Sequence, residues 1–197
     1  MRKLRIGLDF DGVIADTPLL KSQVARDVFE KEVNPAYMLA KYILDNNILT
    51  PDEYHRLQQE IYFDHPEWHR TLKPMKEACE SITALKSDGH EIVSITSRTP
   101  DAVRLAREWL QDEGFGIELY DMEGRSGKEE VAKELRIEVY IDDDPQFLTP
   151  MVGVVPHLFL FAWKYNENFD EGDCMTRTGS WSDIRARIKD ISETDKD

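Results

Sequence analysis

LRIGLDFDGVIADT, residues 4–17, opens the chain with a short apolar run that stops at two aspartates and a glycine. The run predicts a strand over Leu4 to Asp9, closed by polar residues and a turn. If the strand continues, alternation puts Asp9 and Asp11 on the same side. Gly12 then lets the chain turn sharply. Two carboxylates held a few ångström apart repel each other unless a cation sits between them. Hard oxygen ligands of this kind select magnesium. A strand-end turn with two solvated aspartates is the competing reading of this stretch alone.

Outward from this stretch the chain alternates strand-like and helix-like segments. Further strands are predicted at Glu91 to Thr96, Ile117 to Tyr120, Glu138 to Asp142 and His157 to Ala162. The last of these, HLFLFA, is almost wholly apolar, as a strand covered on both faces should be. Helical spacing recurs at Met75, Ala78, Cys79, Ile82 and Leu85, at Val103, Ala106 and Leu110, and over Lys128 to Leu135. The alternation predicts an α/β fold, a Rossmann-like parallel sheet with helices on both faces. Residues 17–73 break it: they hold no convincing strand, and Leu20, Val24 and Val28, then Tyr37 to Leu44 and Pro51 to Tyr62, look helical. The expected organisation is a core domain of residues 1–16 and 74–197 with a helical cap domain of residues 17–73. Such an insertion can sit as a lid over the strand ends, and a plain excursion packed beside the sheet is the alternative. The charged tail from Lys189 to Asp197 is expected to fray.

Three more strand ends carry chemistry. Ile141-Asp142-Asp143-Asp144-Pro145 places three successive carboxylates after an apolar strand, where they destabilise one another without a cation. The alternative is an Asp-rich turn capping a helix, helped by Pro145. Ser94-Ile95-Thr96-Ser97-Arg98 ends a third strand, and its hydroxyls with the first amides of the next helix can hold a phosphate, or Ser97 or Thr99 can simply cap that helix. Lys128 follows Gly127 at a helix start, where a lysine opposes the helix dipole and wants a bound anion; a surface lysine is the bland reading. In an open parallel sheet, ligand sites form at the carboxyl ends of the strands, so one fold brings these segments together.

Composition bounds the partners. The 197 residues carry 25 Lys plus Arg against 39 Asp plus Glu, a net charge of −14. A chain this acidic repels nucleic-acid polymers and anionic membranes. A small anionic substrate is still allowed, because a metal reverses the local field. No apolar stretch is long enough for a spanning helix. Two cysteines, Cys79 and Cys174, make no disulfide framework, and a cytoplasmic setting is expected.

The order strand-DxD, strand-Thr, Lys, strand-DD resembles the haloacid dehalogenase superfamily of phosphohydrolases. The matches are DFDGVIADT at 9–17, SITSR at 94–98, the Lys128 helix and IDDDP at 141–145. The helical insertion between the first and second motifs is similar to that superfamily's helical-cap type, while the Gly-His-Glu before the second strand, the aromatic-Asn segment in FLFAWKYNE and the late Ser-Trp resemble the 5'(3')-deoxyribonucleotidase branch. Arg98 departs from that branch, which more often has proline there. The resemblance implies a magnesium-dependent phosphatase. Asp9 would be the nucleophile, giving an aspartyl-phosphate. Asp11 would protonate the leaving ester oxygen and then take a proton from water. Magnesium would bind the Asp9 carboxylate, the Asp11 backbone carbonyl, and one or both of Asp142 and Asp143, while Thr96, Ser97 and Lys128 would hold the phosphate. The implied substrate is a small phosphomonoester such as a nucleoside monophosphate. Alternatives are a phosphatase or mutase for another metabolite such as a sugar phosphate, and a non-catalytic phosphate sensor.

Three further features offer chemistry. Arg98 could grip a phosphate bidentately, though a surface ion pair is the favoured reading. His65 and His69 have helical spacing for a shared metal, but Pro66 between them and the lack of a third ligand argue against it. Phe29, Tyr37, Tyr42, Tyr54, Tyr62, Phe63 and Trp68 supply aromatic faces on which a base could stack.

Overall fold

The structure of the chain, a computed structural model, describes residues 2–194. Six parallel strands form one sheet: β1 (Arg5–Leu8), β2 (Glu91–Ile95), β3 (Glu118–Tyr120), β4 (Val139–Asp142), β5 (His157–Phe161) and β6 (Thr176–Thr178). Their spatial order is β3-β2-β1-β4-β5-β6. The order reverses at β1, so the crevice between β1 and β4 opens at the carboxyl ends of both strands.

Period-two alternation sends neighbouring residues to opposite faces. Val139, Ile141, Phe159 and Phe161 join one apolar cluster, while Tyr140, Leu158 and Leu160 join another. The first face is covered by α1 (Thr17–Phe29), α4 (Ala78–Ser87), α5 (Pro100–Asp112) and α8 (Trp181–Thr194). The second is covered by α6 (Lys128–Glu134) and α7 (Pro145–Leu148). Helices on both faces of a parallel sheet are the architecture the sequence predicts.

Residues 17–73 contain no strand. Besides α1 they hold α2 (Ala40–Asp45) and α3 (Pro51–Gln59), the latter closed at its start by a Thr50–Glu53 capping box. A π-helical turn, Glu60–Asp64, and 3-10 turns at Pro35–Tyr37 and Pro66–Thr71 complete the segment. Its buried Ile43, Leu49, Leu57, Ile61 and Leu72 belong to the apolar cluster of the first sheet face. The chain leaves and returns side by side: Asp16 N donates to Lys73 O at 2.8 Å, and Met75 N donates to Ile14 O at 2.8 Å.

Two expectations need correction. β6 is absent from the sequence reading because three polar residues at a sheet edge carry no apolar run; pairing with β5 alone defines it. The tail does not fray from Lys189: α8 runs to Thr194, with Trp181, Ile184 and Ile188 buried beneath its charged outer face. Arg2 N also donates to Ser192 O at 2.9 Å, tying the helix end to the first strand. Met1 and residues 195–197 lie outside the described residues.

Candidate active site

The carboxyl ends of β1 and β4 lie together because Asp9 N donates to Ile141 O at 2.8 Å. Three carboxylates meet there. Single oxygens from Asp9, Asp142 and Asp143 all lie within 4.8 Å of one another, and all three residues are buried. Lys128 is the cation between two of them. Its Nζ donates to Asp9 Oδ1 at 2.6 Å and to Asp142 Oδ2 at 2.8 Å, with the side chain 1% exposed. The anion that this helix-opening lysine needs is thus supplied by two side chains of the protein itself, and the surface reading of Lys128 is wrong. Two carboxylates keep the lysine charged: desolvation by burial alone would lower its pKa, but Asp142 and Asp9 drive it well above the ordinary value.

Charge remains unbalanced. Burial, Asp142 and Asp11 push Asp9 up to about 8 against the opposing pull of Lys128. Burial, then Asp9 and Asp142, hold Asp143 well above the ordinary carboxylate range. Three oxygen donors with one ammonium fit a further hard cation. Asp142 Oδ1 accepts from Asp144 N at 2.9 Å, and Tyr140 Oη donates to Asp142 Oδ2 at 3.2 Å. Gly7, Tyr140's register partner, leaves the room that ring needs, since a Cβ there would sit 2.6 Å from Tyr140 Cδ2. Gly12 has φ +78° and faces Asp143, whose Oδ2 would lie 2.6 Å from an added Cβ. The turn and the close approach both require glycine.

The aspartate run divides its labour. Asp142 and Asp143 join the cluster, while Asp144 caps α7 by accepting from Gln146 N at 3.0 Å. Asp11, two residues beyond Asp9, faces a different partner. Arg98 Nε donates to Asp11 Oδ2 at 2.9 Å and Nη2 to Oδ1 at 2.6 Å. The Arg98 side chain is 5% exposed, so the expected surface ion pair is in fact an internal one. Arg98 outweighs the opposing effect of burial and holds Asp11 well below the usual carboxylate range.

A cavity of about 460 Å³ opens over these groups. Asp9, Asp11, Lys128, Asp142 and Asp143 line one side, with Ser97, Arg98 and Thr99 at the edge. The opposite wall comes from residues 17–73: Lys21, Tyr54, His55, Gln58, Gln59, Tyr62 and Phe63. Ser97 is exposed at the edge, while Thr96 is 1% exposed and its Oγ1 accepts from Arg98 N at 3.3 Å. Thr99 stands at the N-cap of α5 without a side-chain bond. Of the aromatic candidates, Tyr54, Tyr62 and Phe63 reach the cavity; Phe29, Tyr37, Tyr42 and Trp68 do not line it. His65 and His69 do not converge: His65 contacts Glu67, and His69 Nε2 faces Arg98 Nη1 at 2.8 Å.

Several supporting residues carry no signal as ligands in the sequence. Tyr165 donates to Asp143 Oδ2. Asn166 Nδ2 donates to Asp143 O and to Phe161 O, each at 2.8 Å. Trp163 Nε1 donates to Gly12 O and Trp181 Nε1 to Val13 O, each at 3.0 Å. Leu4 N donates to His90 Nδ1 at 3.1 Å. The Gly-His-Glu, aromatic-Asn and Ser-Trp features of the sequence therefore buttress β1, its turn and Asp143. Lys21 Nζ, near Tyr54 Oη at 3.2 Å, places a second ammonium on the far wall.

The profile of the family described as 5' nucleotidase, deoxy (pyrimidine), cytosolic type C protein matches residues 2–191. A Bacillus cereus protein inferred to be a nucleotidase is 23% identical over 207 residues, covering 94% of this chain and 98% of that protein. A Chlorobaculum tepidum protein inferred to be a 5'(3')-deoxyribonucleotidase is 25% identical over 191 residues, covering 93% and 89%. Among solved structures, a haloacid dehalogenase family hydrolase from Deinococcus radiodurans R1, with bound phosphate and sodium, superposes with a TM-score of 0.68. It is 16% identical, with 95% of this chain and 96% of that chain covered. Among the described residues, no helix is long and apolar enough to cross a membrane.

Proposed function

The chain belongs to the 5' nucleotidase, deoxy (pyrimidine), cytosolic type C family of the haloacid dehalogenase superfamily and is a phosphomonoester hydrolase; from that premise we propose that it hydrolyses (deoxy)nucleoside monophosphates through an aspartyl-phosphate on Asp9. The observation that carries this reading is the buried set of Asp9, Asp142 and Asp143 with Lys128, at the floor of a cavity of about 460 Å³. The name of the Chlorobaculum tepidum relative supports the nucleotide preference.

Asp9 attacks phosphorus as the bond to the ester oxygen breaks. Lys128, already on Asp9 and Asp142, holds the attacking carboxylate and neutralises phosphoryl oxygens. Ser97 at the cavity edge and Thr96 beneath it, with the amides that follow, complete the phosphate cradle. Asp11 gives a proton to the leaving oxygen and later takes one from the water that cleaves the aspartyl-phosphate. The two N–H bonds that Asp11 accepts from Arg98 keep its carboxylate ionised and fixed in direction for the proton-accepting half of that cycle. The Asp9, Asp142 and Asp143 carboxylates, with the Asp11 carbonyl, would hold magnesium. That ion supplies charge neutralisation and a template for the phosphoryl group. Residues 17–73 serve as a cap that excludes water and reads the rest of the substrate.

A panel of deoxy- and ribonucleoside monophosphates with sugar phosphates, run in magnesium and again with chelator, tests the proposal. The expected result is a preference for one nucleotide series, lost with chelator. Equal rates on sugar phosphates would reassign the substrate class, and full activity in chelator would remove the metal from the account.

A further inference from the structure

Arg98 is held from both sides of the cavity. Besides its two bonds to Asp11, Nη1 faces His69 Nε2 at 2.8 Å and donates to Ala102 O at 3.4 Å. Its guanidinium carbon lies 4.5 Å from the centre of the Phe10 ring and 5.0 Å from that of Tyr62. Phe10, Asp11 and Ala102 belong to the sheet side; Tyr62 and His69 belong to residues 17–73. A planar guanidinium lying over two rings, one from each part of the chain, and forked onto a carboxylate cannot turn without losing contacts to both parts.

We infer that Arg98 is a positioning residue: it fixes the Asp11 carboxylate as proton acceptor for the hydrolytic half-reaction, and Tyr62 and His69 fix Arg98. The inference rests on the roles given above to Asp9 and Asp11. Arg98 occupies one acceptor position on each Asp11 oxygen, and a carboxylate keeps others free for water. The Asp11 side chain is 30% exposed, open to the cavity. In this half-reaction the water oxygen bonds to phosphorus and a water proton moves to Asp11. The bond from phosphorus to the Asp9 oxygen breaks, its electron pair returns to the Asp9 carboxylate, and inorganic phosphate leaves. The guanidinium's hydrogen bonds go to Asp11, His69 and Ala102, so the role assigned here acts through Asp11 and not on the substrate. Formation of the aspartyl-phosphate from a substrate with a good leaving group therefore does not need it.

The test uses the full chain with p-nitrophenyl phosphate in magnesium, comparing wild type, Arg98→Lys and His69→Gln by steady-state and stopped-flow kinetics. Arg98→Lys keeps the charge and loses the fork. It is expected to lower kcat by roughly 10²-fold, the scale of a misplaced catalytic group, with KM falling in proportion and kcat/KM nearly unchanged. A burst of about one p-nitrophenol per active site should precede the slow phase. His69→Gln leaves both charges of the pair in place and should shift kcat and KM the same way by a smaller factor. It reads the same split if Arg98→Lys fails to fold. A parallel fall in kcat and kcat/KM without a burst would overturn the inference in favour of a structural role, and a raised KM at constant kcat would make Arg98 a substrate grip. Unchanged kcat in both variants overturns it alone. A wild type that does not turn over overturns the phosphatase reading beneath it as well.

Discussion

The floor and the side wall of one cavity solve the same problem, a buried carboxylate, in opposite ways. On the floor, Asp9, Asp142 and Asp143 share a single ammonium, Lys128, and negative charge is left over. On the wall, Asp11 meets one guanidinium in a two-toothed pair, and the charges balance. The floor is electrostatically unfinished and calls for a ligand. The wall is complete as it stands and sets a geometry. Burial raises the proton affinity of Asp9 and Asp143, while Arg98 lowers that of Asp11.

The largest break comes from the floor. Asp9→Asn removes the attacking oxygen and should cut turnover by roughly 10⁴-fold or more, measured on any accepted phosphomonoester; near-normal activity would end the assignment. Lys128→Met strands two carboxylates that are 6% and 0% exposed. It should cost about 3–5 kcal/mol of stability, read by denaturant unfolding without metal, and magnesium should recover part of it. Asp143→Asn should do the reverse. Removing a carboxyl whose charged form the folded state disfavours should raise the metal-free Tm by roughly 2–4 °C, about 1 kcal/mol. The same change should abolish the Tm rise that magnesium gives wild type.

The wall shows its effect only in acid. Burial first, and Arg98 second, lower the pKa of His69 to about 3 from an ordinary 6.5. Between those values the unfolded chain binds a proton that the folded chain refuses, so stability is lost as pH falls from 6.5 towards 3. His69→Gln should flatten that loss by at most about 1.4 kcal/mol per pH unit, measured as unfolding free energy against pH. An unaltered slope would remove His69 from the wall's electrostatics.

The difference between floor and wall also explains what the sequence could disclose. The floor is built from strand ends, where a short apolar run followed by acidic residues is visible in LRIGLDFDG and VYIDDD. Parallel pairing then forces those ends together. The wall depends on Arg98 meeting Asp11, Tyr62 and His69, and no local period encodes a contact among such separated positions. Arg98 therefore reads as a surface residue until packing encloses it. Lys21 and the glutamines of α3 are equally silent, because a helix that turns a polar face to a cavity looks like one that turns it to water. The supports Tyr165, Asn166 and Trp181 are visible as a pattern yet not as a purpose, since their bonds go to backbone and to Asp143. The strand β6 shows the same limit at the sheet edge.

The proposed chemistry requires one divalent ion to complete the floor. Anomalous scattering from a crystal grown with manganese in place of magnesium tests it most directly. A single strong peak is expected within coordination distance of carboxylate oxygens of Asp9 and of Asp142 or Asp143 (2.0–2.6 Å, about the range for hard cations). A floor without a peak at saturating manganese, or a peak seated elsewhere with Lys128 alone bridging Asp9 and Asp142, would contradict it.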